Sequence, residues 1–127
     1  MKISHLANSE LAVMELLWQQ SEMTARAIRE QLYPDAAKAQ HGTVQRLLQR
    51  LAEKGCVQRD SALSVHLFSS NFSQQAYAAN QLEALTSRLT GGSIAPLITH
   101  LMAEKKISST EIKRLRKILD ESDGEVK

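Results

Sequence analysis

The polar side chains best suited to a chemical role lie on one face of the segment HGTVQRLLQRLAEKG, residues 41–55. Its apolar residues recur with the i, i+3, i+4, i+7 spacing of an amphipathic helix, at Val44, Leu47, Leu48 and Leu51. The opposite face carries Gln45, Arg46, Gln49, Arg50 and Glu53. Arginine pairs with guanine and glutamine with adenine, each in bidentate fashion, in the major groove of DNA. The segment therefore predicts a helix around residues 43–54 that reads base edges, with Thr43 near its start able to bond a phosphate or a base.

Two other interpretations of this segment stay open. A charged and polar outer face is also the ordinary state of a solvated helix. The second is a protein-interaction module without sequence-specific DNA binding, whose contact face is expected to be more apolar or mixed in charge. An enzyme is not indicated, because the sequence has no glycine-rich nucleophile elbow or phosphate loop. Neither a metal nor another cofactor is expected, since no metal-ligand spacing joins His5, His41, His66 and His100.

Two predicted helices precede this segment. The first has an apolar series at Leu11, Met14, Leu17 and Trp18, a cap at Asn8 or Ser9, and an end near Gln20. The second begins at Thr24, a favourable N-cap residue, and stops before Pro34, because the residue before a proline avoids helical conformation. Residues 35–40 are small and polar and predict a loop.

The pattern changes after Gly55, where residues 57–60 and 63–68 predict two short strands. In the second strand Leu63, Val65 and Leu67 recur with a period of two. Three helices followed by a two-stranded wing is the order of a winged helix-turn-helix domain, predicted for residues 1–70. Its recognition helix lies in the major groove, and the predicted DNA interface also includes Thr24, His41 and His66.

The remaining residues, 71–127, predict a helical domain, so the fold class is mainly α. Gly91 and Gly92 end its first helix, Ser93 caps the second, and Ser108 with Glu111 forms a capping box for the third, which frays after Asp120. Apolar residues recur every three or four positions along these helices and form an apolar seam. The seam is larger than so small a bundle needs for its own core, which predicts a homodimer interface; a small internal core is the alternative. The predicted interface residues are Ala78, Leu82, Leu85, Leu89, Ile94, Leu97, Ile98, Leu101, Leu115 and Leu119.

Composition sets wider limits. The 127 residues have a formal net charge of +2, which permits nucleic-acid binding but does not by itself indicate it. The lone cysteine, Cys56, excludes an intramolecular disulfide and fits a reducing compartment, where it is expected to be a small buried thiol. No signal peptide and no apolar run long enough for a membrane span is recognised, so a cytoplasmic location is expected.

The chain resembles the penicillinase-repressor family in four segments that occur in the family's order and spacing: SELAVMELLW, MTARAIREQL, TVQRLLQRLAEKGCVQR and GGSIAPLITHL. The resemblance extends from about Ile3 to Asp120. It implies a homodimeric repressor that binds double-stranded, inverted-repeat operators with TACA and TGTA cores. It also implies release from DNA through a membrane sensor protease pathway.

By the same resemblance, Thr43, Gln45 and Arg46 match the start of the recognition helix, Arg50 matches the arginine of an R-L-x-x-K-G pattern, and Arg59 begins the wing. The position of Arg46 is often threonine in relatives, so operator preference is expected to differ. The C-terminal cysteine cluster of the family's copper-sensing branch is absent, which excludes that sensing chemistry. The Asn-Phe cleavage site of the antibiotic-resistance branch is matched by His100-Leu101, which departs from that cleavage pattern. The wing lacks the family's usual Gly-Arg turn, so its contacts are expected to differ.

Overall fold

The computed structural model describes residues 5–36, 38–62 and 64–123. Within these ranges the chain forms a mainly helical protein whose N-terminal part is a winged helix, as the sequence predicts. The elements in chain order are α1 (Asn8–Gln20), β1 (Glu22–Met23), α2 (Ala25–Leu32), α3 (His41–Glu53), β2 (Val57–Asp60), β3 (Leu67–Ser70), α4 (Gln74–Leu89), α5 (Ala95–Ala103) and α6 (Ser109–Asp123). No helix among the described residues is both long enough and apolar enough to cross a membrane.

The apolar core lies between α1, α2, α3 and the sheet. The four aliphatic residues predicted for the inner face of α3 are all buried, which confirms the amphipathic pattern. They pack with Val13, Met14 and Leu17 of α1 and with Ile28 of α2. Cys56 is buried in the same core, as expected, and burial raises the pKa of its thiol. The core therefore fixes one face of α3 and leaves the other to solvent.

The sheet has three antiparallel strands in the order β1-β3-β2, with Met23 opposite Phe68 and Arg59 opposite the same Phe68. The two-residue strand β1 was not predicted. The predicted second wing strand, residues 63–68, is wrong in its bounds, because β3 begins at Leu67 and includes Ser69 and Ser70. Val65 is exposed rather than part of an alternating strand face, and Leu63 lies outside the described residues.

The helix caps and ends predicted from the sequence are confirmed at some positions and wrong at others. Thr24 caps α2 by accepting a hydrogen bond from the Ala27 N–H at 3.1 Å. The predicted caps at Asn8 or Ser9 are wrong: the N-cap of α1 is Ala7, whose N–H donates to the Glu10 carboxylate at 3.0 Å. Ser93 does not cap α5, since the N-cap residue is Ile94. Ser108 accepts from the Glu111 N–H at 3.1 Å, and α6 continues past Asp120 to Asp123.

The chain divides into two compact units, one ending at Glu83 and the other beginning at Ala84. The domain boundary after residue 70 stays a prediction, because α4 continues across the division between the units. In the second unit α5 has no buried residue among those described. Large apolar side chains are exposed at Leu85, Leu89, Ile94, Leu101, Met102 and Ile118.

Candidate nucleic-acid interface

The outer face of α3 presents four exposed side chains, those of Gln45, Arg46, Gln49 and Arg50. These positions are exposed because the aliphatic residues between them turn inward at helical spacing and are buried. Glu53, one turn after Gln49, accepts a long hydrogen bond of 3.4 Å from the Gln49 amide. The face thus combines two cations, two amides and one carboxylate, and each of these groups can pair with a base edge.

The start of α3 is joined to α2 through His41. Arg29 of α2 donates from Nη1 to His41 Nδ1 at 2.8 Å, because a guanidinium has no acceptor. In the neutral ring the proton is then on Nε2, which lies 3.0 Å from the side-chain amide of Gln45. With that amide turned by 180°, its oxygen accepts a hydrogen bond from the Nε2–H. These contacts orient Gln45 along the helix.

The half-buried Thr43 is held by a different bond at the same end of α3. Its hydroxyl donates to the Gln40 side-chain oxygen at 2.9 Å, and the Gln40 side chain makes no capping hydrogen bond to α3. The first N–H groups of α3 are therefore not capped by that side chain, which is the condition under which a helix start accepts an anion.

An open groove of about 740 Å³ separates α3 from the wing. Its polar lining comes from Gln45, Gln49 and Glu53 of α3 and from Arg59 of β2. Its apolar floor comes from Leu48, Ala52 and Phe68. The structure thus brings together three of the predicted interface residues, two amides of α3 and one arginine of the wing, around one concave surface.

A buried ion pair anchors the C-terminal end of α3 to the start of α1. Lys54 Nζ lies 2.9 Å from both carboxylate oxygens of Glu10, a side chain that is only 2% exposed. Burial alone would raise the pKa of Glu10, but the hydrogen bonds from Lys54 and the Ala7 N–H, with the charges of Lys54 and Arg50, leave that pKa below its ordinary value. The pair sets where α3 ends relative to α1.

The base of the wing is attached to α1 by Trp18. The indole Nε1–H lies 3.1 Å from Ser70 Oγ and 3.0 Å from the Phe72 carbonyl oxygen, and it donates to both. The Trp18 ring also packs on Tyr77, with centroids 5.8 Å apart. The hydroxyl oxygen of Tyr77 accepts from the buried Leu6 N–H at 3.0 Å, so the start of α4 belongs to this unit.

The other predicted site residues are more dispersed. His66 is exposed just before β3, and Thr24 is occupied as the cap of α2. Of the residues predicted for a dimer interface, Leu97, Ile98 and Leu115 are half-buried within one chain. The others are exposed: Ala78, Leu82, Leu85, Leu89, Ile94, Leu101 and Leu119.

Sequence reasoning missed Arg29, which holds His41, and Phe68, which floors the groove. Arg29 contacts a residue twelve positions away on another helix, so no local spacing signals it. Glu10 and Lys54 are 44 positions apart, so no local spacing signals their pairing either. Among the described residues no group of three or more His, Cys, Asp or Glu side chains is arranged to hold a metal ion.

Two known proteins similar to this chain are named as repressors. A protein from Bacillus licheniformis named "Penicillinase repressor" is 23% identical over 120 residues, covering 94% of this chain and 93% of that protein. A Staphylococcus aureus protein of the same name is 23% identical over 118 residues, covering 91% of each. The solution structure of the DNA binding domain of the repressor BlaI aligns with a TM-score of 0.49 and 25% identity, covering 61% of this chain and 94% of that one.

The family model described as "Penicillinase repressor" matches residues 6–121. That range extends over both units of the chain. It begins at Leu6, whose N–H donates to Tyr77, and ends in the last turns of α6. This chain therefore belongs to the penicillinase repressor family.

Proposed function

We propose that this protein is a homodimeric transcriptional repressor of the cytoplasm that binds inverted-repeat operator DNA through α3. The observation that carries the proposal is the outer face of α3, where Gln45, Arg46, Gln49 and Arg50 are all exposed above a fully buried aliphatic face. Such a face fits the major groove, and its side-chain types match base edges. The relatives named as penicillinase repressors support the assignment.

The groove beside α3 supports a second contact. In the proposed complex Arg59 of β2 lies at the wing side of the groove and contacts the DNA backbone, while α3 reads bases. The uncapped start of α3, with His41 and Thr43, contacts a phosphate. His66 completes the wing contacts.

Exposed apolar side chains of the second unit support the proposed dimer. Leu85, Leu89, Ile94 and Leu101 expose between 36% and 62% of their surface in the single chain. Several large apolar side chains exposed in one small unit favour an interaction site, and a second copy of the chain would cover them while presenting a second α3. Two half-sites multiply affinity and specificity, which one short helix cannot supply.

Fluorescence anisotropy at one fixed physiological salt concentration tests the proposal, with a duplex carrying an inverted TACA/TGTA repeat and a scrambled duplex of the same length. Salt is fixed because phosphate contacts dominate affinity. We expect the repeat to bind at least about a thousandfold more tightly, with one dimer per duplex. Weak and equal binding to both, followed by no enriched sequence in a selection from random DNA, would overturn the proposal in favour of a protein-interaction module.

Release through a membrane sensor protease pathway is part of the same proposal. The bond between His100 and Leu101 lies inside α5, and the His100 side chain is exposed and 3.9 Å from Glu104. Mass spectrometry of the protein recovered from induced cells should show fragments that end within α5. Intact protein in cells that have lost repression would contradict this route.

A further inference from the structure

A strongly basic stretch of the chain lies outside the candidate interface. Residues 105–117 contain six basic residues and one acidic residue, whereas residues 1–70 contain eight basic and seven acidic residues. Two of the eight, Lys54 and Arg26, are already paired with Glu10 and Glu30. Residues 1–70, which include α3, are therefore close to neutral, although phosphate neutralisation supplies much of the affinity of DNA-binding proteins.

The charge of residues 105–117 is concentrated on one face of α6. At 3.6 residues per turn, Lys113, Arg114, Arg116 and Lys117 share an arc of about 160°. Ile112, Leu115 and Ile118 lie on the opposite arc. We call the four basic residues the α6 basic face. All four side chains are exposed.

The α6 basic face forms no ion pair with the part of the chain that the structure describes. The ion pairs of Lys54, Arg26 and His100 lie elsewhere. Asp120 and Glu121 follow one turn later, yet neither lies within 4.0 Å of a basic nitrogen of the described residues. Like charges one turn apart, as at Lys113 and Lys117, destabilise an isolated helix. An anionic partner would remove that repulsion.

We propose that the α6 basic face is a second, sequence-independent DNA contact that binds backbone phosphates when α3 is on its operator. The inference rests on the proposed function, because α3 brings DNA to the same molecule and so raises its local concentration at α6. Each dimer presents two such faces. The contact adds affinity on any sequence and adds no discrimination between sequences.

DNA fits this face better than a membrane does. A helix that lies in a membrane surface must insert its apolar side. In α6 Ile112 and Leu115, in the middle of that side, are half-buried within the chain. Ile118 and Leu119, near the end of that side, are exposed, but two residues give little apolar surface to insert. All four basic side chains are exposed, and arginine and lysine form charge-assisted hydrogen bonds with phosphates.

The test compares the salt dependence of DNA binding in the full-length wild type and in K113Q/R114Q/R116Q/K117Q, by anisotropy on the repeat and the scrambled duplex. Each lost phosphate contact lowers the slope of log K against log salt by about 1. We expect a slope smaller by at least about 2 per dimer and binding at low salt weakened about tenfold or more on both duplexes. The ratio between the duplexes should not change.

The matched control is K113R/R114K/R116K/K117R, which keeps every charge and should bind with the wild-type slope. Sedimentation and circular dichroism check that each variant is dimeric and helical; if the fourfold glutamine variant is not, K113Q/K117Q removes half of the charge. Wild-type slopes in a folded, dimeric glutamine variant would overturn the inference, as would unchanged DNA binding with loss of binding to phosphatidylserine vesicles. Failure of the proposed function would show differently, as equal affinity of the wild type for the repeat and the scrambled duplex.

Discussion

At the scale of single residues, the two arginines of α3 have different surroundings. Arg50 lies close enough to Glu10 for its charge to help lower the pKa of that carboxyl group. Arg46 is exposed and is not among the groups that lower the pKa of Glu10. Arg46 is thus the arginine more available to a base, and the resemblance that predicted it placed it at the start of the recognition helix.

We expect Arg46→Ala to weaken binding to the operator by about 1–3 kcal/mol, as for the loss of a bidentate base contact. Binding to scrambled DNA should change much less, because a base contact contributes only on the matching sequence. Arg88→Ala, which removes an exposed arginine near the end of α4, is the control. Anisotropy titration measures both, and an equal loss on the two duplexes would show instead that Arg46 binds a phosphate.

The Glu10–Lys54 pair makes a stability prediction. Lys54→Met leaves a carboxylate that is 2% exposed without its cation. We expect the free energy of unfolding at neutral pH to fall by about 3 kcal/mol, the lower end for a broken buried pair, since the Lys54 side chain is 32% exposed. Urea denaturation measures the loss, and the double variant with Glu10→Gln should recover part of it. No recovery in the double variant would contradict the pairing.

The same pair predicts a pH dependence. The folded-state pKa of Glu10 lies below the ordinary value of 4.5, so the unfolded chain binds more protons between the two values. The stabilisation is therefore complete above about pH 4.5 and is lost as the pH falls through the lowered folded-state pKa. Urea midpoints measured across this range should fall more steeply with acid for the wild type than for Glu10→Gln. Identical slopes in the wild type and in Glu10→Gln would contradict the assignment of this pH dependence to Glu10.

At the scale of elements, helices were easier to predict than strands. The inner face of α3 repeats over two turns, so its existence and its buried residues follow from the sequence. The two residues of β1 are too few to show any period. The ends of β3 depend on pairing with β1 and β2, which places Ser69 in the strand although its side chain gives no strand signal.

The N-cap of α2 provides the prediction at this scale. Thr24→Ala removes the hydroxyl that accepts from the Ala27 N–H, and we expect it to cost about 1 kcal/mol of the free energy of unfolding. Thr24→Ser keeps the hydroxyl and should restore most of that loss. Thermal and urea unfolding measure the series. A serine variant as unstable as the alanine variant would mean that the cap contributes little.

At the scale of the whole molecule, what could not be predicted lies in contacts between distant segments. The α6 pattern and the apolar seam are visible in the sequence, but the bonds from Leu6 to Tyr77 and from Arg29 to His41 join residues that no local pattern relates. The candidate site was therefore predicted for its α3 residues, while the groove and its floor at Phe68 required the fold.

The dimer is tested by Leu89→Glu, which places a charge at a leucine that is 62% exposed in the single chain. We expect sedimentation to show a folded monomer with much weaker operator binding, because a charge cannot enter an apolar interface without a partner. Ser87→Glu, on the opposite side of α4 from Leu85 and Leu89, adds the same charge and should remain dimeric. A dimeric L89E variant would move the interface away from this seam.

The attachment of the wing through Trp18 has a spectroscopic consequence. The chain has one tryptophan, and its indole N–H is bonded to Ser70 and to the Phe72 carbonyl at the end of the wing. Its emission therefore comes from one defined environment, half-buried between α1 and the start of α4. Any conformational change that separates the wing from α1 will expose this indole to water and shift its fluorescence to longer wavelength. The protein thus contains its own label for motions of the wing, with no dye attached.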